Sequence, residues 1–267
     1  MKETSAYNAT VVGKILITPD IMTLRVNADE PRPEFEAGQY TVLGLYGHEG
    51  RSQNSEEEHA LSPEDKLIRR AYSIASRRAD TQQFEFYISQ VKTGQLTPRL
   101  FNLEMGSRLH LGKRIVGLFK LSETPPDSDI VMVATGTGIA PYISFLRSHI
   151  VERPNIKMAV IQGATHQWDL GYYSELTFLA NSFSNFFYFP TLTDADSTWT
   201  GKRLWINELL DENILQEEAQ ISFDVEKTHF FLCGNPKMIE TTSEWLTPYG
   251  YKKHTRKEPG SLHVEEF

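Results

Sequence analysis

Four short blocks carry residues whose types and spacing can do chemistry. The first is Arg70-Ala71-Tyr72-Ser73. Its guanidinium is a planar fork that fits phosphate oxygens. Its ring can lie flat on a heterocycle, and its hydroxyl can hydrogen-bond a ring nitrogen. The second follows the strand-like run 84–91, where Gly94 turns the chain into Gln95-Leu96-Thr97-Pro98. Thr97 reads as an N-cap and Pro98 as the first helical residue. A helix N-terminus there attracts a diphosphate. The third is Gly136-Thr137-Gly138-Ile139-Ala140-Pro141, after the apolar run 130–134. Pro141 stands where the common dinucleotide fingerprint has its third glycine. A strand, a Gly turn and a Pro-opened helix still make a pyrophosphate cradle. The fourth, Cys233-Gly234-Asn235-Pro236, ends one strand and opens a helix. Open α/β sheets bind ligands at such carboxyl ends. Each block alone has a plainer reading: a barrel strand with an exposed Arg, a capped helix, a tight turn, a small buried thiol. Together they place two nucleotide sites on one chain, which points to electron transfer between two cofactors.

The elements that must position these blocks change character along the chain. Segments 10–17, 22–27, 39–45, 71–75, 84–91 and 108–111 are short, β-branched or aromatic, and punctuated by Gly and Pro. Regular short strands of this kind predict an antiparallel barrel or sandwich. From 129 onward strands and helices alternate. Strands are expected at 129–134, 156–163, 186–192 and 228–232, helices at 139–150, 173–181 and 236–246, and 204–210 continues the series. Such alternation predicts a parallel α/β sheet. The polar, Pro-bearing stretch 122–128 reads as the linker, giving domains 1–124 and 125–267. Segment 46–66 is polar, acidic and poor in apolar residues. It reads as a solvated, partly disordered loop, or else as a partner-contacting or adenine-side flap.

Bulk composition narrows the class. The 267 residues carry a net charge of −8, which argues against nucleic acid as a partner. The 40% of hydrophobic residues suffices for a sizeable core. A single cysteine allows no intrachain disulfide and suits a reducing cytoplasm. No apolar run approaches the ~20 residues of a membrane helix, and the start lacks a signal-peptide core. A cytoplasmic monomer is therefore expected. The histidines show no zinc or iron–sulfur spacing, so no metal is expected.

The four blocks, in this order and spacing, resemble the ferredoxin/flavodoxin–NADP(+) reductase family, bacterial type, over residues 8–267. The resemblance implies an FAD-binding antiparallel β-barrel followed by an α/β nicotinamide-dinucleotide domain. It implies that Arg70, Ala71, Tyr72 and Ser73 bind the flavin and its diphosphate, with Tyr72 stacking and Ser73 at flavin N5. Tyr87, Ile88, Ser89 and Gln90 would pass the ribityl and adenosine parts. Gln95, Leu96 and Thr97 would begin the diphosphate-binding helix. Gly136, Thr137 and Gly138 would serve the nicotinamide coenzyme, with Thr137 between flavin and nicotinamide and Cys233 beside the nicotinamide. The ending Val264-Glu265-Glu266-Phe267 is similar to the family's Val-Glu-x-aromatic terminus. It implies that Phe267 covers the flavin face the nicotinamide must reach, and that Glu265 is the carboxylate near the flavin.

Coenzyme choice is less settled. The family reads the 2′-phosphate of NADP with arginines, where this chain has Ala164-Thr165 and Thr193-Asp194. Asp194 would repel a phosphate and can hydrogen-bond a free ribose hydroxyl, while Lys202 and Arg203 lie near enough in sequence to compensate. The expected activity is FAD-dependent exchange of a hydride with NADP(H), or NAD(H), and of single electrons with a transiently bound ferredoxin or flavodoxin. The alternatives are an NADH-using reductase component of an oxygenase system and a non-catalytic flavin- or nucleotide-binding sensor.

Overall fold

A computed structural model describes residues 6–266. The chain forms two compact units, Met1–Leu118 and Phe119–Phe267. This division falls earlier than the expected 124/125. Phe119 and Leu121 are buried, and the Phe119 ring packs on Tyr142, Phe145 and Phe231 of the second unit. The polar stretch after them is therefore not the divide.

The first unit is the expected antiparallel barrel. Its strands are β1 (Ala9–Thr18), β2 (Ile21–Ala28), β3 (Tyr40–Tyr46), β4 (Leu67–Ser73), β5 (Gln83–Ser89) and β6 (Arg108–Leu111), in the order β4-β3-β6-β1-β2-β5. A bridge between Ile74 and Phe86 joins the two outer strands. Period-2 patterning sets the register. Met22, Leu24 and Val26 face Ile88, Phe86 and Phe84 across β2 and β5, all buried in one core. One short helix, α1 (Thr97–Asn102), follows β5.

The second unit is a five-stranded parallel sheet: β7 (Asp129–Thr135), β8 (Met158–Ala164), β9 (Phe186–Leu192), β10 (Thr228–Gly234) and β11 (Leu262–Glu266), in the order β11-β10-β7-β8-β9. Strands β7, β8 and β10 are near-continuous apolar runs, as strands covered on both faces require. The helices are α2 (Ala140–His149), α3 (Tyr173–Ser182), α4 (Ile206–Asp211), α5 (Ile214–Glu217) and α6 (Pro236–Leu246). Chain order reverses between β7 and β10, so the switch point where open sheets bind ligands lies between their carboxyl ends. Tyr142 of α2 spans that point: its hydroxyl lies 2.7 Å from the Phe231 carbonyl and 3.0 Å from that of Val133.

Candidate functional sites

On the barrel, β4 exposes Arg69, Arg70 and Ala71, leaves Tyr72 half-buried and buries Ser73. Tyr72 packs against the barrel core. Burial pushes its phenol up, against the opposing charge of Arg70. Two cavities flank the strand. One, of about 380 Å³, is lined by Val42, Arg69, Arg70, His110, Lys113 and Arg114 among others. The other, of about 280 Å³, includes Ser62, Pro63, Lys66, Arg69, Arg70 and Gln95. Among the described residues, no carboxylate lines either one. The concentration of cations in carboxylate-free cavities suits a diphosphate. Arg70 donates to the Gln95 side-chain oxygen at 3.3 Å, so the first two sequence blocks do meet. Arg69, Lys66, Lys113 and Arg114 were not singled out from sequence; the doublets Arg69-Arg70 and Lys113-Arg114 were the available signal.

The other residues expected to bind the flavin differ in burial. Ile88 and Leu96 belong to the barrel core. Tyr87 and Gln90 are also buried, while Ser89 is exposed. Thr97 is not the N-cap. That position is Leu96, without a side-chain cap, and the Thr97 hydroxyl instead bonds the Val91 amide at 2.9 Å and its carbonyl at 3.3 Å. Nor is 46–66 a loose loop. Its Glu58 carboxylate is 5% exposed and joins Arg51 and Arg99.

In the second unit the Gly-rich turn is a 3-10 turn over Gly136–Ile139 leading into α2. Gly136 has φ +53° and open space where a Cβ would stand, leaving its backbone accessible to a ligand. A Cβ on Gly138 would lie 2.1 Å from the Cys233 carbonyl oxygen, so only glycine lets the turn rest on β10. Thr137 is half-buried beside them. Cys233 is fully buried; desolvation, then the charge of Glu265, pushes its thiol well up. It therefore contributes shape rather than a thiolate. Glu265 is its register partner across β10 and β11. Asn235 caps α6, accepting from the Lys237 amide at 2.8 Å, with Pro236 opening the helix as expected. Phe267 lies outside the described residues.

The ends of β8 and β9 are zipped together. Thr193 donates its amide to the Ala164 carbonyl at 3.1 Å and Asp194 to that of Thr165 at 2.9 Å. His166 Nδ1 lies 2.9 Å from the Asp194 carbonyl, and its ring stacks on Trp168 at 4.6 Å. The Asp194 side chain is 76% exposed. Lys202 is held by Glu212 at 2.6 Å. Arg203 spends its two terminal nitrogens on the carbonyls of Ala195, Asp196 and Trp199. Both compensating cations are thus engaged locally. His166 and Trp168 were not anticipated; their adjacency to Thr165 was the only signal.

The chain has relatives among known proteins. The oxidoreductase NAD-binding domain matches residues 132–244. A flavodoxin/ferredoxin–NADP reductase of Buchnera aphidicola is 30% identical over 249 residues, 93% of each chain. The chain belongs to the flavodoxin/ferredoxin–NADP reductase family. Within this family's fold, a Neisseria gonorrhoeae ferredoxin–NADP+ reductase solved with bound FAD and NADP superposes with a TM-score of 0.81 at 25% identity, covering 98% of this chain and 99% of that one. The anthranilate 1,2-dioxygenase electron transfer component of Acinetobacter baylyi is 32% identical over 183 residues, but the match spans only 49% of that protein. Family membership agrees with the two-domain fold expected from sequence.

Proposed function

We propose that this chain is an FAD-dependent ferredoxin- or flavodoxin–NADP(+) reductase. The observation that carries the reading is the exposed Arg69-Arg70 stretch of β4, set in carboxylate-free cavities next to the half-buried Tyr72 ring. Arg70, with Arg69 and Lys66 nearby, would hold the flavin diphosphate, and Tyr72 would stack on the ring system. Ser73, buried at the end of the same strand, would be the N5 partner. Gly136 and Thr137 at the switch point would receive the coenzyme's pyrophosphate and nicotinamide half. The flavin, when bound, supplies the exchange between a two-electron hydride and single electrons. The protein supplies binding, orientation and exclusion of water. Its carrier would be a ferredoxin or flavodoxin, met transiently by a cytoplasmic monomer.

The purified protein should be yellow. Anaerobic NADPH should bleach it, and adding a ferredoxin or flavodoxin should restore the colour as the carrier is reduced. A colourless protein that takes up no FAD, or a flavoprotein that neither coenzyme bleaches, would sink the reading. A second reading, an NADH-using reductase component, rests on the exposed Asp194 carboxylate and the local engagement of Lys202 and Arg203. It would show as bleaching by NADH at least as fast as by NADPH.

A further inference from the structure

Residues 47–66 form a polar insertion between β3 and β4 that nonetheless adopts a defined structure. A long polar connection pays a large ordering cost and is usually either functional or disordered. Here the order has an identifiable source. Arg51 reaches across to the carbonyls of Lys92 and Gly94 at 2.9 and 2.7 Å. The amides of Ser52 and Glu56 bond the carbonyls of Pro98 and Lys92. Glu58 alone of the run Glu56-Glu57-Glu58 points inward. Its carboxylate joins Arg51 at 2.9 Å, the Arg99 guanidinium, and the Ser62 amide and hydroxyl at 2.9 Å each. Arg99, buried in α1, also donates to the Gly47 and Gln95 carbonyls. A buried carboxylate is tolerated only when paired in this way.

The insertion ends against the flavin site. Gln95 accepts from Arg70 and donates to the Ala60 carbonyl at 3.0 Å, so it links the expected diphosphate ligand directly to the insertion. Ser62 and Pro63 line the 280 Å³ cavity with Lys66, Arg69 and Arg70. Drug-sized ligands occupy about 300–1,000 Å³, so this volume suits part of a dinucleotide rather than the whole. Position along β4 says which part. Tyr72 and Ser73 lie on one side of Arg70, and the cavity residues Lys66, Leu67, Ile68 and Arg69 lie on the other. With the diphosphate at Arg70 and the ring system at Tyr72, the half left for the insertion side is the adenosine.

We infer that residues 47–66 are a clamp for the adenosine half of the flavin cofactor, with Glu58 as the positioning residue that holds the clamp shut and so makes the site select FAD over FMN. This rests on the reading of the barrel as a flavin site. FMN ends at its phosphate and has nothing for the clamp to hold. Glu58 touches no cofactor; it acts through Arg51, Arg99 and Ser62.

The test uses the full chain, stripped of flavin, and measures dissociation constants for FAD and for FMN by fluorescence. Glu58→Gln should weaken FAD about tenfold or more, the scale of a lost contact of ordinary size, while FMN stays within about twofold. Limited proteolysis should show the 47–66 segment protected by FAD but not by FMN. If Glu58→Gln does not fold, Arg51→Gln, which leaves the Glu58–Arg99 pair intact, carries the same comparison. Equal losses for FAD and FMN would mean Glu58 merely supports the barrel, and no loss for either would mean the insertion is idle. Either result overturns the clamp while leaving the flavin reading standing. A wild-type chain that binds neither flavin overturns both.

Discussion

Tyr72 meets two demands, and they predict different variants. Its ring packs on the barrel core, and along β4 it follows the exposed Arg70 and Ala71. Stacking needs the ring and not the hydroxyl, so Tyr72→Phe should keep the flavin. Arg70→Ala combined with Tyr72→Ala removes a stack of about 0.5–1.5 kcal/mol and a charged hydrogen bond of about 1.5–3 kcal/mol. That is on the order of a hundredfold in affinity, and the double variant should purify largely colourless at dilute concentration. Full flavin retention there would place the cofactor elsewhere. Asp194 makes the second prediction at this scale. Its carboxylate is exposed, and neither Lys202 nor Arg203 is free to offset it. Wild type should therefore prefer NADPH only weakly. Asp194→Arg should raise the ratio of kcat/KM for NADPH over NADH by about tenfold at low salt, the worth of one charged contact to phosphate. A ratio unmoved by the substitution would show that the 2′ position lies away from the ends of β8 and β9.

Strand β11 carries His263 in a stack of rings where burial disfavours its charged form. His263 lies between the Phe231 ring at 4.3 Å and the His254 ring at 4.7 Å, with its Nε2 3.1 Å from His229 Nδ1. Burial, then the neighbouring His254 and His229, pushes His263 down to about 3, and burial also lowers His229. An unfolded histidine takes its proton near about 6.5. Between that value and about 3 the unfolded chain binds more protons, so stability is full above the window and falls as the pH drops through it. Each such histidine costs up to about 1.4 kcal/mol per pH unit. Urea midpoints between pH 7 and 4 should decline more steeply for wild type than for His263→Phe; parallel declines would remove His263 from the account. Amide exchange in β11 should accelerate before that in β7 and β8. This strand also marks where the sequence stopped being legible. The period-2 runs of β2 and β5 and the Asn235-Pro236 start of α6 are local patterns, and local patterns can be read. Strand β11 is five residues long, and its first paired residue, Leu262, faces Phe230 far back in the sequence. The order of 47–66 rests on Lys92, Gly94 and Arg99, more than forty residues away from Arg51 or Glu58. Thr97 looked like a cap because nothing local says that its hydroxyl goes to Val91. The four blocks stood out in the sequence because each is a contiguous run of residues. The cationic cavities and the anchoring of 47–66 did not, because each is assembled from separate elements, and the His166–Trp168 pair, though local, matches no motif.

Charge is divided unevenly over the whole molecule. Residues 1–118 carry fifteen Lys and Arg against fifteen Asp and Glu; residues 119–267 carry twelve against twenty, so the entire −8 belongs to the second unit. Within the neutral first unit the exposed Arg69, Lys113 and Arg114 line one cavity with His110, while the acidic residues Glu56, Glu57, Glu64 and Asp65 lie on the insertion. An acidic carrier is repelled by the second unit and by the insertion, and attracted to the Lys113–Arg114 face. Such steering acts on the encounter rate more than on the lifetime of the complex, and it is screened over about 8 Å at physiological salt. Replacing both Lys113 and Arg114 by Glu should therefore lower kcat/KM for an acidic ferredoxin or flavodoxin by about tenfold or more at low ionic strength, within the range that steering commands. The difference should shrink as salt is added. Reduction of a neutral quinone by the same preparations separates the carrier step from any change in the flavin cavity that Lys113 and Arg114 also line, because an uncharged acceptor feels neither patch, so the carrier rate should fall further than the quinone rate. Equal losses toward carrier and quinone would mean that the substitutions damaged the flavin site, and carrier rates that match wild type at low salt would place docking on another surface.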